Sequence, residues 1–155
     1  MGCFWVEFEL ANNFDVMKAA AGELPSREVR RVRIRGLVDT GATRLVLPLA
    51  VVKQLGLPET DKIAVRYADG RRTMRPLVDN VHVTLLGRTS VFKASVEPRR
   101  DSALIGAFVL EDLDFVVDPA NERLVPRDPK MLTAELAGSE IPVLPRRTRT
   151  KRGSA

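Results

Sequence analysis

The chain has 155 residues, 45% of them hydrophobic, one cysteine and a formal net charge of +5. That is long enough to bury one core and too apolar for a disordered polymer. No run approaches the ~20 apolar residues that cross a bilayer, and a lone cysteine excludes an internal disulfide framework or a multi-cysteine metal site. Residues 141–155 hold Arg146, Arg147, Arg149, Lys151 and Arg152 and no acid, so the other 20 of the 25 basic side chains balance the 20 acids. A neutral domain with a basic end points away from nucleic acid as the partner. Residues 1–128 read as one domain, and residues 129–155 as a basic, disordered, solubilising tail. The start, Met1-Gly2-Cys3-Phe4-Trp5, lacks the basic and apolar regions of a signal peptide, so the expected location is the cytoplasm.

In chain order, Phe4, Val6, Phe8 and Leu10 alternate with polar or bulky neighbours, the period of a strand, and Asn12-Asn13 break it. Residues 14–27 read as a loop with one helical turn at most. Alternation resumes from Val29, with Val32 and Ile34 on one face and Arg31, Arg33 and Arg35 on a solvated one. After Leu37-Val38-Asp39, Leu45-Val46-Leu47 form a short buried strand. Pro48 opens a helix that runs to Leu55, and Gly56 closes it. Asp69-Gly70, between Val65–Ala68 and Arg71–Met74, predicts a hairpin with a two-residue type I′ turn. Val81, Val83 and Leu85 alternate as a strand, Gly87-Arg88-Thr89 turn the chain, and Val91–Val96 return it. Ala103–Gly106 is a short apolar element, and Phe108–Leu113 a helical turn or two. Phe115–Val117 and Arg123–Val125 form a hairpin around Asp118–Glu122, and order fades beyond Pro126. The sum is all-β: about eight short strands in a closed or nearly closed barrel, with one or two short helices.

One stretch carries chemistry. In Leu37-Val38-Asp39-Thr40-Gly41-Ala42-Thr43 a carboxylate ends an apolar run and is followed at once by a tight turn. This motif, the glycine-tipped hairpin in mid-chain and the later Leu104-Ile105-Gly106 occur in the order found in the retropepsins. The chain therefore resembles these single-lobed, homodimeric aspartic peptidases of retroviruses and bacteria over roughly residues 4–126. The resemblance implies a closed β-barrel and a polypeptide substrate, with no cofactor. By position, Asp39 is the catalytic aspartate, Thr40 bonds across the dimer, Gly41 lets backbone come close, and Ala42 marks the retroviral form of the loop. Tyr67, Ala68, Asp69, Gly70 and Arg71 correspond to the flap that closes over substrate, and Leu104, Ile105 and Gly106 support the Asp39 loop. The sequence holds only one such loop, so half an active site is encoded and a second copy of the chain must bring the other half. The hairpin after Phe115 stands where the retroviral enzymes have a terminal dimerisation strand, and the flap is unusually rich in arginine (Arg66, Arg71, Arg72, Arg75).

Paired carboxylates are what the chemistry needs. At ~4 Å and an effective dielectric of ~20 two carboxylates repel by about 4 kcal/mol, which separates their titrations by roughly three units. One then keeps a proton while the other accepts one from water. Ala42 adds no hydroxyl to steady the charge, which implies an optimum at mildly rather than strongly acidic pH. Rival readings are weaker. Asp39-x-Gly41-x-Thr43 also fits the phosphate loop of actin-like and sugar-kinase ATPases, and in part the nucleophile loop of haloacid-dehalogenase phosphatases, but both need larger α/β scaffolds. A non-catalytic dimerisation or peptide-binding module of the same fold is the main alternative, and Asp39 as a plain turn-former the bland one. His82 sits on the polar phase of a strand, Cys3 reads as an incidental thiol, Tyr67 as packing at the flap base and Trp5 as packing on the barrel or the dimer partner. Glu111, Asp112 and Asp114 read as a solvated helix face rather than a metal site.

Overall fold

The computed structural model describes residues 3–136. Its strands are β1 (Phe4–Asn12), β2 (Arg31–Val38), β3 (Leu45–Pro48), β4 (Glu59–Arg66), β5 (Arg72–Leu85), β6 (Arg88–Glu97), β7 (Ala103–Ile105), β8 (Phe115–Asp118) and β9 (Arg123–Pro126). The helices are α1 (Asn13–Ala20), α2 (Leu49–Leu55) and α3 (Ala107–Asp112). Seven strands form one sheet in the order β1-β2-β7-β3-β6-β5-β4, and a further pairing of β1 with β5 closes six of them into a barrel. Among the described residues β4 stays outside the ring, paired only with β5, and β8–β9 form a separate hairpin.

Alternation explains what fills the barrel. Phe4, Phe8 and Leu10 of β1, Val81, Val83 and Leu85 of β5, and Leu45 and Leu47 of β3 are buried together with Ile105, Leu55 and Leu113. Each such Leu or Phe contributes about 1.5–3 kcal/mol by leaving water. The outward arginines of β2 meet diagonal neighbours on β1: Arg31 pairs with Glu9 at 2.9 Å and Arg33 with Glu7 at 3.2 Å, and Arg35 lies 4.2 Å over the Trp5 ring. Half of Trp5 remains exposed. His82, expected on the surface, is half-buried between β1 and β6; burial first, then the charge of Arg31, lowers its pKa.

Four local expectations are corrected. The segment after β1 is a two-turn helix, not a loop, because Asn12 caps α1: its side chain accepts the Asp15 N–H at 3.2 Å while its amide donates to the Leu55 carbonyl at 2.8 Å. β5 is one strand of 14 residues that crosses Pro76 and absorbs Asp79-Asn80 as a bulge, with Asn80 at φ 61°. The β5–β6 turn is Leu86-Gly87, both at positive φ (48° and 82°), which makes it the two-residue type I′ link. The β4–β5 turn is not of that type. Tyr67 N–H bonds to Arg71 O and Gly70 N–H to Tyr67 O, and only Gly70 of the Asp-Gly pair has positive φ (87°). A three-residue turn ending on a left-handed glycine satisfies these bonds, and Asp69 stabilises it by accepting the N–H of Arg71 at 3.0 Å and its guanidinium at 2.7 Å.

The far end of the barrel holds a further departure. Asp114 is not part of a solvated face: it is buried, at φ 60°, just past α3. Its carboxylate accepts the Thr133 hydroxyl at 2.7 Å, the Thr133 N–H at 3.0 Å and Arg127 Nε at 2.7 Å. The Thr133 bonds, then Arg127, hold it at about 2. Arg88 bonds to the carbonyls of Leu113 and Asp114 at 3.0 Å each and to that of Asp128. Glu111 and Asp112 are exposed. The basic residues 146–152 lie outside the described residues.

Candidate active site

Topology sets the site. β7 lies between β2 and β3, parallel to the first (Leu37 opposite Leu104, Val38 opposite Ile105) and antiparallel to the second (Val46 opposite Leu104). The chain leaves β2 at Val38, must pass over the end of β7, and comes back as β3. Residues 39–44 make that crossing, so they rest on Ile105-Gly106. Asp39 N–H donates to the Ile105 carbonyl at 3.1 Å, Ala107 N–H to the Ala42 carbonyl at 2.8 Å, and Phe108 N–H to the Thr43 carbonyl at 3.0 Å. A Cβ on Gly106 would lie 2.5 Å from Arg44 O and 2.8 Å from both Ala42 O and Arg44 N, all backbone. Only glycine fits where the loop crosses.

Within the loop, Asp39 Oδ1 accepts the Gly41 N–H at 2.9 Å and Ala42 N–H returns to the Asp39 carbonyl at 3.2 Å. A side chain on Gly41 would approach Asp39 Oδ1 to 3.2 Å. Asp39 is partly exposed, and Thr40 and Gly41 are exposed beside it. The carboxylate is thus presented at the surface on a loop whose backbone is tied into the core.

Asp39, Gly41 and Ala42 open into a cavity of about 510 Å³ walled by Val46, Ser95, Glu97 and Leu104 from the barrel, by Val65, Arg66, Tyr67 and Ala68 from the β4–β5 hairpin, and by Arg100. It continues past β4 into a second hollow of about 420 Å³ that reaches Thr43, Arg44 and Ile63. The hairpin is anchored beside it. Tyr67 Oη donates to Glu97 Oε1 at 2.6 Å and accepts from Arg75 Nε at 2.9 Å, while Arg75 also meets Glu97 Oε2 at 3.1 Å. Both oxygens of Glu97 are therefore engaged, and the Tyr67 bond and then Glu97 push Arg75 to still higher basicity. A separate depression of about 580 Å³ lies between β6 and α3, lined by Ser90, Phe92, Phe108 and Glu111 and by no residue of the Asp39 loop.

The structure brings Asp39, Gly41, Ala42, Leu104, Tyr67 and Ala68 to one cavity. Asp69, Gly70 and Arg71 form the hairpin tip outside its walls, and Ile105 and Gly106 stand behind the loop. The sequence marked Arg75 only as one of several flap arginines and gave no sign of Ser95, Glu97 or Arg100: they are single polar residues on β6 or the connection after it, tens of residues from Asp39, with no motif to flag them.

A family model described as aspartyl protease matches residues 26–128, well over half of the 155 residues. The matched span includes the Asp39 loop, the β4–β5 hairpin and the Leu104–Gly106 element. No curated protein matches the chain.

Proposed function

Because the chain belongs to the aspartyl protease family, we propose that it is a retropepsin-like endopeptidase that works as a homodimer and cleaves extended polypeptide. Water is held between two Asp39 carboxylates, one from each copy. The observation that carries this reading is the count of available carboxylates. Only Asp39 and Glu97 line the cavity among the described residues, and Glu97 is spent on Tyr67 and Arg75. The second acid of a pair comes from another copy, and a two-fold axis through the exposed Thr40-Gly41 turn brings identical loops face to face. There the ionised Asp39 takes a proton from water as it attacks the peptide carbonyl. The protonated Asp39 donates to the carbonyl oxygen and then assists departure of the amine. Sharing of one proton by two close carboxylates is the established behaviour of this enzyme class.

The β4–β5 hairpin acts as the flap. No described strand pairs with the outer edge of β4, and β4 residues line both hollows, which supports capture of an extended peptide by backbone pairing. The lone cysteine suits a cytoplasmic setting, and no described helix is long and apolar enough to cross a membrane.

The test is hydrolysis of blocked peptides across pH by the full chain and by Asp39→Ala. The variant is expected to stay folded, run at twice the chain mass in light scattering, cleave nothing, and poison the wild type when mixed in excess. Undiminished cleavage by Asp39→Ala, or full activity from a strict monomer, refutes the mechanism.

A further inference from the structure

Of the four flap arginines Arg72 is exposed and lines neither hollow, and the other three sort into two kinds. Arg71 is neutralised by Asp69 at 2.7 Å, and Arg75 is consumed by Glu97 and Tyr67. Arg66 is exposed, lines the cavity, and has no ion pair or side-chain hydrogen bond among the described residues. Arg100, in the connection between β6 and β7, lines the same cavity and among the described residues is held by neutral partners only: Nε donates to the Ser102 carbonyl at 3.0 Å and Nη2 to Ser102 Oγ at 3.4 Å. These two bonds fix the guanidinium in place and leave its charge uncompensated. The one acid facing them besides Asp39 is Glu97, whose charge is already matched by Arg75. Arg44 adds a third guanidinium at the far hollow, stacked 5.6 Å over Phe108. Two guanidinium groups lining a cleft without acidic partners make a site for a carboxylate, because the planar fork matches its two oxygens.

We propose that the cavity selects peptides carrying an Asp or Glu side chain close to the scissile bond, held by Arg66 from the flap and Arg100 from the barrel. This rests on the reading of the cavity as the substrate cleft. The peptide's acid replaces water around the already oriented Arg100, and Arg66, on the hairpin, joins when the flap lies over the substrate. Charge selection and closure are thereby linked.

The experiment uses the full chain near pH 6 and peptides blocked at both ends, with Glu or Gln at each position around the cleaved bond, beside the Gln peptides left free at the C-terminus. At one position at least, kcat/KM for Glu exceeds that for Gln by about tenfold or more, the scale of a partly exposed charge-assisted bond. The ratio falls toward one in Arg66→Gln and in Arg100→Gln, and falls in high salt. A ratio of one in the wild type at every position overturns the proposal. So does a gain confined to neutral peptides with a free C-terminus, since the carboxylate recognised is then the chain end. Fluorescence anisotropy of the same peptides on Asp39→Asn separates this idea from the one it rests on. Tighter binding of Glu than Gln peptides without cleavage by the wild type sinks the peptidase reading alone, whereas equal binding sinks the proposal.

Discussion

Gly106→Ala puts a methyl group where the Asp39 loop crosses β7. The new Cβ starts 2.5 Å from Arg44 O and 2.8 Å from Ala42 O and Arg44 N. Ordinary contact begins near 3.4 Å, so the loop backbone must lift by about 0.9 Å or β7 must sink by as much. β7 cannot sink, because its own Ala103 and Ile105 are fully buried in the packed core. Lifting the loop stretches the Asp39 N–H to Ile105 and Ala107 N–H to Ala42 bonds. Overpacking a tight site costs about 1–3 kcal/mol, and with backbone as the obstacle the upper end applies. A displacement near 1 Å at the reacting carboxylates costs about a hundredfold in rate. Urea unfolding and kcat/KM on the same sample check both numbers. Gly36→Ala is the comparison: its Cβ meets the buried Phe8 and Ile105 side chains at 2.7 and 2.8 Å rather than the backbone of the Asp39 loop, so its loss falls on stability through an overpacked core. If Gly106→Ala matches the wild type in unfolding midpoint and rate, the crossing loop is not seated on β7 as described.

Three further outcomes are expected. Asp114 is held at about 2 in the folded chain against an ordinary 3.8, so the stability it contributes is complete above about pH 4 and is lost as pH falls through 2. Asp114→Asn lowers the urea midpoint at neutral pH, and the gap from wild type closes on acidification; a constant gap argues against this carboxylate as the fastener of residues 127–133. Leu86 is 62% exposed and left-handed at φ 48°, a strain that Asn bears better, so Leu86→Asn adds about 0.5–1 kcal/mol and raises the melting temperature by a few degrees. A loss would show that Leu86 packs more than it strains. Ala42→Ser supplies a hydroxyl that favours the ionised carboxylate, so the pH–rate profile moves toward acid from a wild-type optimum above about pH 4; a wild-type peak well below that value removes the argument.

Strand periodicity made the barrel legible. Phe4, Phe8 and Leu10, and Val81, Val83 and Leu85, alternate in sequence and point inward together, and the Pro48 and Gly56 punctuation marks the limits of α2. The Asp39 loop was legible because tight-turn chemistry is local. What stayed hidden depends on distant partners. Asn12 looked only like a strand breaker, yet its Oδ1 caps α1 by accepting the Asp15 N–H, in a pose its amide holds by donating to the carbonyl of Leu55, 43 residues away. Asp114 looked like surface because Arg127 and Thr133 are invisible to any short window. The Asp-Gly pair at 69–70 misled through a common rule: the Asp69 carboxylate bonds to Arg71 and selects a wider turn. Glu97 and Arg100 enter the cavity only through the parallel pairing of β3 with β6, which no local pattern announces.

A ring of strands ordinarily leaves nothing for a stray chain to attach to, but this one has a seventh strand with an open border. Glu59, Asp61, Lys62 and Arg66 stud that strand with both signs of charge, and all four are exposed. Such studding discourages a neighbour's β-segment from zipping on indiscriminately. The hairpin can therefore keep its backbone uncovered at cellular concentrations without seeding clumps, and substitution of those four side chains by valine or isoleucine would turn a receptive rim into a sticky one.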